Sequence, residues 1–357
     1  MTYLDYQATT PLAPEALTAM LPWLESQHAN PHSPHREGRR AKAAVEIARD
    51  QIAALLPPGG TVAFTSGATE ALNWAIKGTT GGIVTLATEH AAVLDTVQAS
   101  GRPVTVLPVG ADGLVDLSVA RAAITPGTGL VAAMLVNNEI GVIQPIAALA
   151  DLAHEAGALM LCDAVQGYGR VPIPETVDLV AISAHKIHGP KGVGALWIRD
   201  GVELAALLHG GAQEAPGRSG TLSPALCAGF GVAARLMAER HDADDANVFQ
   251  LFGFAHSLLG GWQVNGALDH RYFGNLNIRR DGLDVNRLMS DLRDIAFSAG
   301  SACASGSGRS SHVLRAIGLT DAQARSSIRL GFGRYTTQAE LAEAIGSIVA
   351  AAEGQWP

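Results

Sequence analysis

The chain has 357 residues, more than one ordinary domain, which favours two lobes or one large α/β unit. A hydrophobic fraction of 48 % against a charged fraction of 16 % excludes a disordered chain. The 40 glycines follow no Gly-X-Y period, which excludes a collagen-like fibre. The formal net charge of −8 argues against direct nucleic-acid binding, because proteins that bind phosphate backbones present basic patches.

The cysteines and the N-terminal sequence indicate the compartment. Cys162, Cys227 and Cys303 are far apart and form no C-x-x-C pair, so neither a disulfide framework nor a metal site is expected. The opening MTYLDYQATTPLAPEAL lacks the basic start and apolar core of a signal peptide. No apolar run approaches the roughly 20 residues of a membrane span. We therefore expect a cytoplasmic protein with no membrane association.

Short apolar runs alternate with helical patterns through the first two thirds of the chain. Several of these runs are apolar without alternation, which is typical of strands buried on both faces of a parallel sheet. The pattern predicts a mainly parallel sheet with helices on both faces. The predicted strands are 61–65, 83–88, 104–108, 130–136, 158–162, 179–183 and 194–198, and the clearest helices are 70–77, 91–100 and 146–156.

The pattern changes after Thr221. A helical, alanine-rich stretch at 223–240 leads into the polar segment HDADDAN, shorter elements, and a serine- and glycine-rich loop at 298–311. We predict a large domain formed by residues 16–240. A smaller α+β domain should combine residues 1–15 with residues 241–357.

The segment FTSGATE predicts an anion site. A strand runs into a Ser-Gly-Ala-Thr turn that opens a helix, so backbone N–H groups and the positive end of the helix dipole face one point. Thr69 adds a hydroxyl donor. Such a turn at the carboxyl edge of a parallel sheet cradles a phosphate. An ordinary strand-to-helix turn with a good N-cap remains an alternative.

Lys186 is one of only four lysines and closes the sequence Ser183-Ala184-His185-Lys186. It follows directly on a buried apolar strand, where desolvation would lower the pKa of its amine and make it a nucleophile toward an aldehyde. Ser183 and His185 could add donors to a phosphate. In the alternative interpretation, Lys186 only caps the strand and points into solvent.

Asp163 ends the apolar run Leu159-Met160-Leu161-Cys162. A buried carboxylate is costly unless a cation pairs with it, and the protonated ring nitrogen of pyridoxal phosphate is such a cation. Gln166 could reach the ring hydroxyl. Asp163 could instead be an N-cap for the following turn. Strand alternation points Cys162 away from Asp163, so Cys162 should be a core thiol.

Cys303 lies in the run SAGSACASG, among small residues typical of a loop. An exposed thiol on a loop suits a nucleophile that attacks a substrate and then delivers a product elsewhere. A lone loop cysteine can also be incidental. A lysine, an aspartate, a phosphate turn and this thiol in one chain nevertheless point to a single site.

The chain resembles the cysteine desulfurases of the pyridoxal-phosphate-dependent class V aminotransferase superfamily, specifically the group with the long active-site loop. The resemblance covers nearly the whole chain and rests on these segments: YLDYQATTP, NPHSPHREG, TSGATEALN, EHAAVLDT, NNEIGVIQPI, CDAVQGYGR, SAHKIHGPKGVGALW, RSGTLSP, FSAGSACASG, SHVLRAIGL and SSIRLGFGRYT.

The resemblance implies a role for each matching residue. Lys186 matches the lysine that bonds to the cofactor, and Cys303 matches the cysteine that becomes a persulfide. With His90, which matches a histidine stacked on the cofactor ring, they are the predicted catalytic residues. The implied phosphate contacts are Ala68, Thr69, Ser183, His185 and, from the other subunit of a dimer, Thr221. Asp163 and Gln166 match the partners of the ring nitrogen and ring hydroxyl, and Asn138 and Arg329 match residues that hold the substrate carboxylate.

The resemblance also implies a fold-type I homodimer that converts L-cysteine to L-alanine and passes the sulfur to an acceptor protein. Iron–sulfur cluster assembly is one pathway that begins with such a persulfide. Family members that serve the housekeeping iron–sulfur scaffold carry a longer C-terminal tail, whereas this sequence stops at GQWP. The stretch after Cys303 is also richer in glycine than is usual in the group. These differences bear on the acceptor and not on the chemistry.

Three other functions share parts of this pattern. A selenocysteine lyase shares the framework, whereas a transaminase needs no thiol, so Cys303 argues against the latter. A silent partner subunit should have lost Lys186, Asp163 or Cys303, and the sequence has all three. A dinucleotide enzyme is disfavoured because no G-x-G-x-x-G follows the first strands.

Overall fold

The computed structural model describes residues 1–214, 217–299 and 310–355. The strands are β1 (Thr2–Tyr3), β2 (Gly60–Thr65), β3 (Gly82–Leu86), β4 (Val104–Leu107), β5 (Thr128–Met134), β6 (Leu159–Asp163), β7 (Leu179–Ser183), β8 (Gly194–Arg199), β9 (Gln263–Val264), β10 (Asn275–Arg279), β11 (Ile295–Ala296), β12 (Ser298–Ala299) and β13 (Ser327–Gly331). The helices are α1 (Pro14–Glu25), α2 (Arg36–Ala53), α3 (Ala68–Gly78), α4 (Ala91–Ala99), α5 (Leu117–Ala123), α6 (Ile146–Glu155), α7 (Pro224–Glu239), α8 (His241–Leu258), α9 (Val285–Asp291), α10 (His312–Ala316), α11 (Asp321–Arg325) and α12 (Gln338–Glu353), with a 3₁₀ turn at Ala184–Lys186.

Seven strands form the main sheet in the order β2-β8-β7-β6-β5-β3-β4. They are the seven strands predicted from the apolar runs. Strand β8 runs antiparallel to both β2 and β7, and the other neighbours are parallel. The predicted α/β fold with a mainly parallel sheet is therefore confirmed.

Side chains on the two faces of the main sheet enter two separate apolar cores. Alternation along β2 sends Phe64 to a core shared with α2, α6 and α7, and Ala63 to a core shared with α3 and α4. Helices thus cover both faces, as predicted. Cys162 and Cys227 are both buried in the first core as free thiols, so the expectation for Cys162 is confirmed.

A smaller antiparallel sheet has the order β12-β13-β10-β9, and β1 pairs in parallel with β11 beside it. Its apolar core lies under α8, α9 and α12 and includes Leu4 from the N-terminal end of the chain. The chain start is therefore packed with its last third. In the part of the chain that the structure describes, no helix is long and apolar enough to cross a membrane.

The candidate site lies at the edge of the main sheet where the parallel strands have their carboxyl ends. Strand β2 ends at Thr65 immediately before the turn into α3, and β8 passes against that turn. A Cβ on Gly194 would lie 2.6 Å from the Ile182 carbonyl oxygen and 2.7 Å from Gly67 backbone atoms. Only glycine at position 194 permits this close packing, which fixes the turn over the sheet.

Candidate active site

A cavity of about 610 Å³ opens at the carboxyl edge of the main sheet. Most of the residues predicted for the site line it, although they come from elements scattered along the chain. These residues are Ala68, Thr69, His90, Asn138, Asp163, Gln166, Ser183, His185, Lys186 and Arg329. Thr221 is exposed and does not line the cavity, and Cys303 lies outside the described residues.

The Ser66–Gly67 turn and the first residues of α3 form one end of the cavity. Thr65 Oγ1 donates to the Gly67 carbonyl (2.9 Å), and the Ser66 N–H donates to Glu70 Oε2 (2.8 Å). Glu70 in turn pairs with Arg218 at 2.8 Å. The turn is held on both sides, and the N-terminus of an 11-residue helix opens toward the cavity.

His185 also lines the cavity and contributes an imidazole that can donate or accept a hydrogen bond. Its Nδ1 lies 3.1 Å from Thr9 Oγ1. Burial, together with the nearby charges of Lys186 and Lys191, lowers the pKa of His185 to about 4. The ring is therefore uncharged at neutral pH and can serve a phosphate only through hydrogen bonding.

Lys186 lies in the 3₁₀ turn after β7 and lines the cavity, which contradicts the alternative that it points into solvent. Its Nζ donates to the main-chain carbonyls of Gln7 (2.5 Å) and Ala8 (2.9 Å). Both acceptors belong to the N-terminal segment, 179 and 178 residues away in the chain. The amine is thus held at a defined point on the cavity wall.

Asp163 is 4 % exposed, and its Oδ1 accepts from the Val165 N–H at 3.0 Å. Burial raises the pKa of Asp163 to about 6, although the nearby charge of Lys186 opposes this shift. Among the described residues, no arginine, lysine or histidine forms an ion pair with it. A carboxyl group in this position favours a cationic ligand.

Gln166 and Gln7 line the same cavity as Asp163. Gln166 Nε2 donates to the Gln7 carbonyl at 2.9 Å, while Gln166 Oε1 is buried and has no hydrogen-bond partner among the described residues. An unsatisfied buried polar atom facing a cavity is costly unless a ligand satisfies it. With the anion-binding turn and Asp163, it makes a donor and acceptor set that fits pyridoxal phosphate: a phosphate, a cationic ring nitrogen and a ring hydroxyl.

His90 precedes α4, and its Nδ1 accepts from the Ala92 N–H at 3.0 Å. Burial and the charges of Lys186 and His312 lower the pKa of His90. Because Nδ1 is an acceptor, the proton of the neutral ring is on Nε2. An oriented imidazole of this kind is suited to lie against an aromatic ring and to donate a hydrogen bond from Nε2.

Arg329 brings a cation from the smaller sheet to the cavity. It is only 1 % exposed, and its Nη2 lies 2.7 Å from Asp5 Oδ1. Its Nη1 donates to the main-chain carbonyl of Asn138 at 3.0 Å. The structure therefore brings together the two residues predicted to hold a substrate carboxylate.

The described residues on either side of Cys303 make side-chain hydrogen bonds, one of them to Arg329, which lines the cavity. Ser298 Oγ accepts from Arg329 Nη2 at 3.1 Å, and Ser311 Oγ donates to Glu139 Oε2 at 2.5 Å.

Several cavity residues were missed by the sequence analysis. Gln7, Ala8 and Thr9 line the cavity from the N-terminal segment, and Lys191 lines it from the turn before β8. The motif YLDYQATTP suggested the family but assigned none of these contacts. Gln7 and Ala8 contribute main-chain carbonyls to Lys186, and such contacts depend on the path of the chain and not on residue type.

Comparison with known proteins agrees with this geometry. The aminotransferase class-V family model matches residues 2–343. A cysteine desulfurase IscS from Rickettsia bellii (strain OSU 85-389) is 42 % identical over 364 residues, which cover 96 % of this chain and 89 % of that protein. A solved NifS-like protein has a TM-score of 0.91 at 30 % identity, covering 99 % of both chains. A structure described as SspA in complex with cysteine has a TM-score of 0.83 at 33 % identity, covering 94 % of this chain and 100 % of that one.

The fold and the fit of the cavity to pyridoxal phosphate define the class as fold-type I enzymes that use this cofactor. The sequence relationship is more specific, since the match extends over almost the entire chain. The chain belongs to the aminotransferase class-V family and, within it, to the cysteine desulfurases.

Proposed function

We propose that the protein removes sulfur from L-cysteine, releases L-alanine, and passes the sulfur to an acceptor protein as a persulfide on Cys303. The observation that carries the proposal is the convergence of Lys186, Asp163 and Arg329 on one cavity from three separate elements. The hydrogen bond between Ser298 and Arg329, which lines that cavity, supports a role for the cysteine that follows five residues after Ser298 in the sequence.

The residues divide into those that hold the cofactor and those that hold the substrate. Ala68, Thr69, Ser183 and His185 would bind the phosphate, Asp163 the ring nitrogen, and Gln166 the ring hydroxyl, with Lys186 as the covalent attachment. When bound, pyridoxal phosphate supplies an electron sink that stabilises negative charge at the substrate α-carbon. Arg329 and Asn138 would hold the substrate carboxylate.

Proton transfer is assigned to Lys186, with His90 as a hydrogen-bond donor. Lys186 Nζ donates to two main-chain carbonyl oxygens, which fix its direction. It can accept the α-proton of the substrate at Nζ and return a proton to carbon. Burial lowers the pKa of His90, and with Nδ1 accepting from the Ala92 N–H its Nε2–H is placed to donate a hydrogen bond.

Sulfur transfer is assigned to Cys303 and balances without an external oxidant. The Cys303 thiolate attacks the sulfur of L-cysteine, so a sulfur–sulfur bond forms while the carbon–sulfur bond breaks. The electron pair of the broken bond remains on carbon, which takes up a proton to give L-alanine. Thiol and L-cysteine are thereby converted to persulfide and L-alanine with all atoms retained.

The test is the Cys303→Ser variant. Because the resemblance places Cys303 outside the cofactor contacts, the variant should retain the visible absorbance of bound cofactor and lose production of sulfide and L-alanine. Cys227→Ala, which alters a buried core thiol, is the matched control and should remain active. Near-normal turnover by Cys303→Ser would refute the persulfide mechanism.

We further infer that the enzyme is a cytoplasmic homodimer and that its acceptor serves iron–sulfur cluster assembly or another sulfur-trafficking pathway. Support for the dimer is that Thr221 matches a phosphate contact of the family yet lies outside the cavity of its own chain. Support for the reducing compartment is that Cys162 and Cys227 are free thiols. The boundary between the two domains at residues 240 and 241 likewise stays a prediction.

A further inference from the structure

We infer that Asp5 is a positioning residue of the active site, which orients Arg329 for the substrate carboxylate and links it to the strand leading to Cys303. The inference rests on the proposed function, because it concerns how L-cysteine is held. Asp5 has the only side-chain carboxylate that contacts Arg329 in the described part of the chain.

Asp5, Arg329 and Ser298 form a small network of hydrogen bonds, in which Asp5 contacts Arg329 directly. Asp5 Oδ1 accepts from Arg329 Nη2 at 2.7 Å and from Ser298 Oγ at 2.8 Å. Ser298 Oγ also accepts from Arg329 Nη2 at 3.1 Å, which closes a triangle of hydrogen bonds. Ser298 is the register partner of Arg329 across the β12–β13 ladder, so the triangle lies within the smaller sheet.

The network leaves part of the guanidinium available to a ligand. A guanidinium has five N–H donors. Asp5 and Ser298 use Nη2, and the Asn138 carbonyl uses one donor of Nη1. Nε is buried and has no hydrogen-bond partner among the described residues. The second Nη1 donor and Nε thus remain, and Asp5 sets their direction by fixing Nη2.

The backbone holds Asp5 in this place. Asp5 forms a bridge with Gly331, two residues after Arg329 on β13, and the Gly331 N–H donates to the Leu4 carbonyl at 2.8 Å. A Cβ on Gly331 would lie 1.8 Å from Gln7 Oε1 and 2.9 Å from the Tyr6 nitrogen. The N-terminal arm (residues 4–10) therefore lies so close to β13 that only glycine is accommodated there.

The same arm also contacts Lys186, which gives the arm a role in both halves of the site. Gln7 and Ala8 accept from Lys186 Nζ, while Asp5, two residues earlier than Gln7, accepts from Arg329. The arm thus fixes the spacing between the amine and the guanidinium. An α-amino acid is recognised through both its amino and its carboxylate groups, so this spacing is a determinant of substrate recognition.

The experiment uses the holoenzyme and compares Asp5→Ala with Asp5→Asn. Asparagine retains an oxygen that can accept from Arg329 and Ser298, whereas alanine removes it. Asp5→Ala should raise the KM for L-cysteine about tenfold or more, and Asp5→Asn should stay within about threefold of wild type. Cysteamine, which is L-cysteine without its carboxylate, should inhibit wild type and both variants with similar constants.

The matched control is Asp244→Ala. Asp244 pairs with Arg334 at 2.6 Å, and the side-chain exposures of that pair (17 % and 3 %) resemble those of Asp5 and Arg329 (20 % and 1 %). The Asp244 pair does not line the cavity. Asp244→Ala should therefore lower thermal stability without changing the KM. If Asp5→Ala does not fold, Ser298→Ala removes two of the three hydrogen bonds of the triangle, leaves the bond between Asp5 and Arg329, and should raise the KM about threefold or more.

Three results would overturn the inference while leaving the desulfurase function intact. They are an unchanged KM in Asp5→Ala, equal impairment of Asp5→Asn and Asp5→Ala, or a rise in KM in Asp244→Ala as large as in Asp5→Ala. If wild-type protein instead releases no L-alanine from L-cysteine, the proposed function itself fails.

Discussion

Three charged side chains of the active site, Lys186, Asp163 and Arg329, are held in different ways. Main-chain carbonyls hold Lys186, and a carboxylate holds Arg329. Asp163 receives one backbone N–H and is otherwise buried. Burial raises the pKa of Asp163, although the Val165 N–H and the charge of Lys186 oppose this shift. A protonated ring nitrogen would give this buried carboxyl group a cationic partner.

The first prediction for a single residue concerns Lys186. Lys186→Ala removes the amine that would bond to the cofactor and move the α-proton, so turnover should fall at least about a thousandfold. The visible absorption band of the purified protein should also disappear. Lys191→Ala is the matched control, since Lys191 lines the same cavity. It should keep a band that borohydride removes; such a band in Lys186→Ala would show that another lysine carries the cofactor.

The second prediction concerns the titration of Asp163 in cofactor-free protein. An aspartate in the unfolded chain has a pKa of about 3.9, whereas the pKa of Asp163 in the folded protein is about 6. Between these values the folded protein binds more protons than the unfolded chain, so this group lowers stability as pH rises. Asp163→Asn removes the effect. The melting temperature of the cofactor-free variant should exceed that of wild type by a margin that grows from pH 4 to about pH 6.

The same pair of proteins provides the control. When cofactor is bound, its cationic ring nitrogen should pair with Asp163 and lower the pKa of that carboxyl group. The order of stability should then reverse above pH 6, with wild type more stable than Asp163→Asn. A margin between the cofactor-free proteins that is independent of pH, or that shrinks as pH rises, would contradict the assigned pKa.

At the scale of elements, the seven strands of the main sheet could be predicted because each is a short apolar run bounded by turn residues. The one clear displacement is β5, predicted at 130–136 and found at Thr128–Met134. Leu135 and Val136 continue the apolar run because they are buried in the core beyond the strand end. Strands β1, β9, β11 and β12 have two residues each and are too short to show any periodicity.

The site residues that follow strand ends could be predicted from the sequence. The contacts that the N-terminal arm makes in the site could not. Carboxyl ends of parallel strands meet at one edge, so Asp163, Ser183 and Lys186 converge for a topological reason. The arm reaches Lys186 across 178 residues of sequence through main-chain carbonyls. Main-chain acceptors have no residue signature, and the contact between Asp5 and Arg329 spans 324 residues. Local patterns contain no information about either contact.

The prediction at this scale concerns Gly194, where β8 passes the Ser66–Gly67 turn. A Cβ in Gly194→Ala would meet backbone atoms of Ile182 and Gly67 at 2.6 and 2.7 Å, so turn and strand must separate. Overpacking of this kind costs about 1–3 kcal/mol. We expect a lower melting temperature and, because the turn would bind the phosphate, cofactor affinity reduced about tenfold. Fluorescence titration of cofactor-free protein measures the affinity.

Gly253→Ala is the matched control for that variant. Gly253 lies inside α8, and a Cβ there would have no neighbour within 4 Å. Alanine in an open helical position should leave cofactor affinity unchanged and stabilise the protein by about 0.5–1 kcal/mol. Wild-type cofactor affinity in Gly194→Ala would show that the turn tolerates displacement.

In the molecule as a whole, the candidate active site is a cavity lined by residues from both sheets. The main sheet contributes Asp163 and Lys186, and the smaller sheet contributes Arg329. The N-terminal arm joins the two, since it pairs with β13 and also contacts Lys186. Neither sheet by itself provides groups for both the amino group and the carboxylate of an amino acid. The arrangement also leaves Thr221 outside the cavity, which bears on assembly.

The prediction at this scale is that the phosphate contact of Thr221 is made in the partner chain. Thr221→Ala should then weaken cofactor binding about tenfold to a hundredfold, as expected for loss of a hydrogen bond to a charged group. Lys186→Ala has no lysine to bond the cofactor but has an intact Thr221. In a mixed dimer of the two variants, one site combines Lys186 of one chain with Thr221 of the other and is complete.

The measurement is a complementation experiment. The two variants are unfolded together, refolded as a 1:1 mixture and titrated with cofactor, and light scattering confirms a dimer. About half of the sites that contain Lys186 should regain wild-type affinity if chains pair at random. Thr221→Ala refolded alone is the control and should remain uniformly weak. A mixture that titrates as the simple sum of its two components, or a monomer that turns over L-cysteine, would place Thr221 in its own chain's site or outside any site.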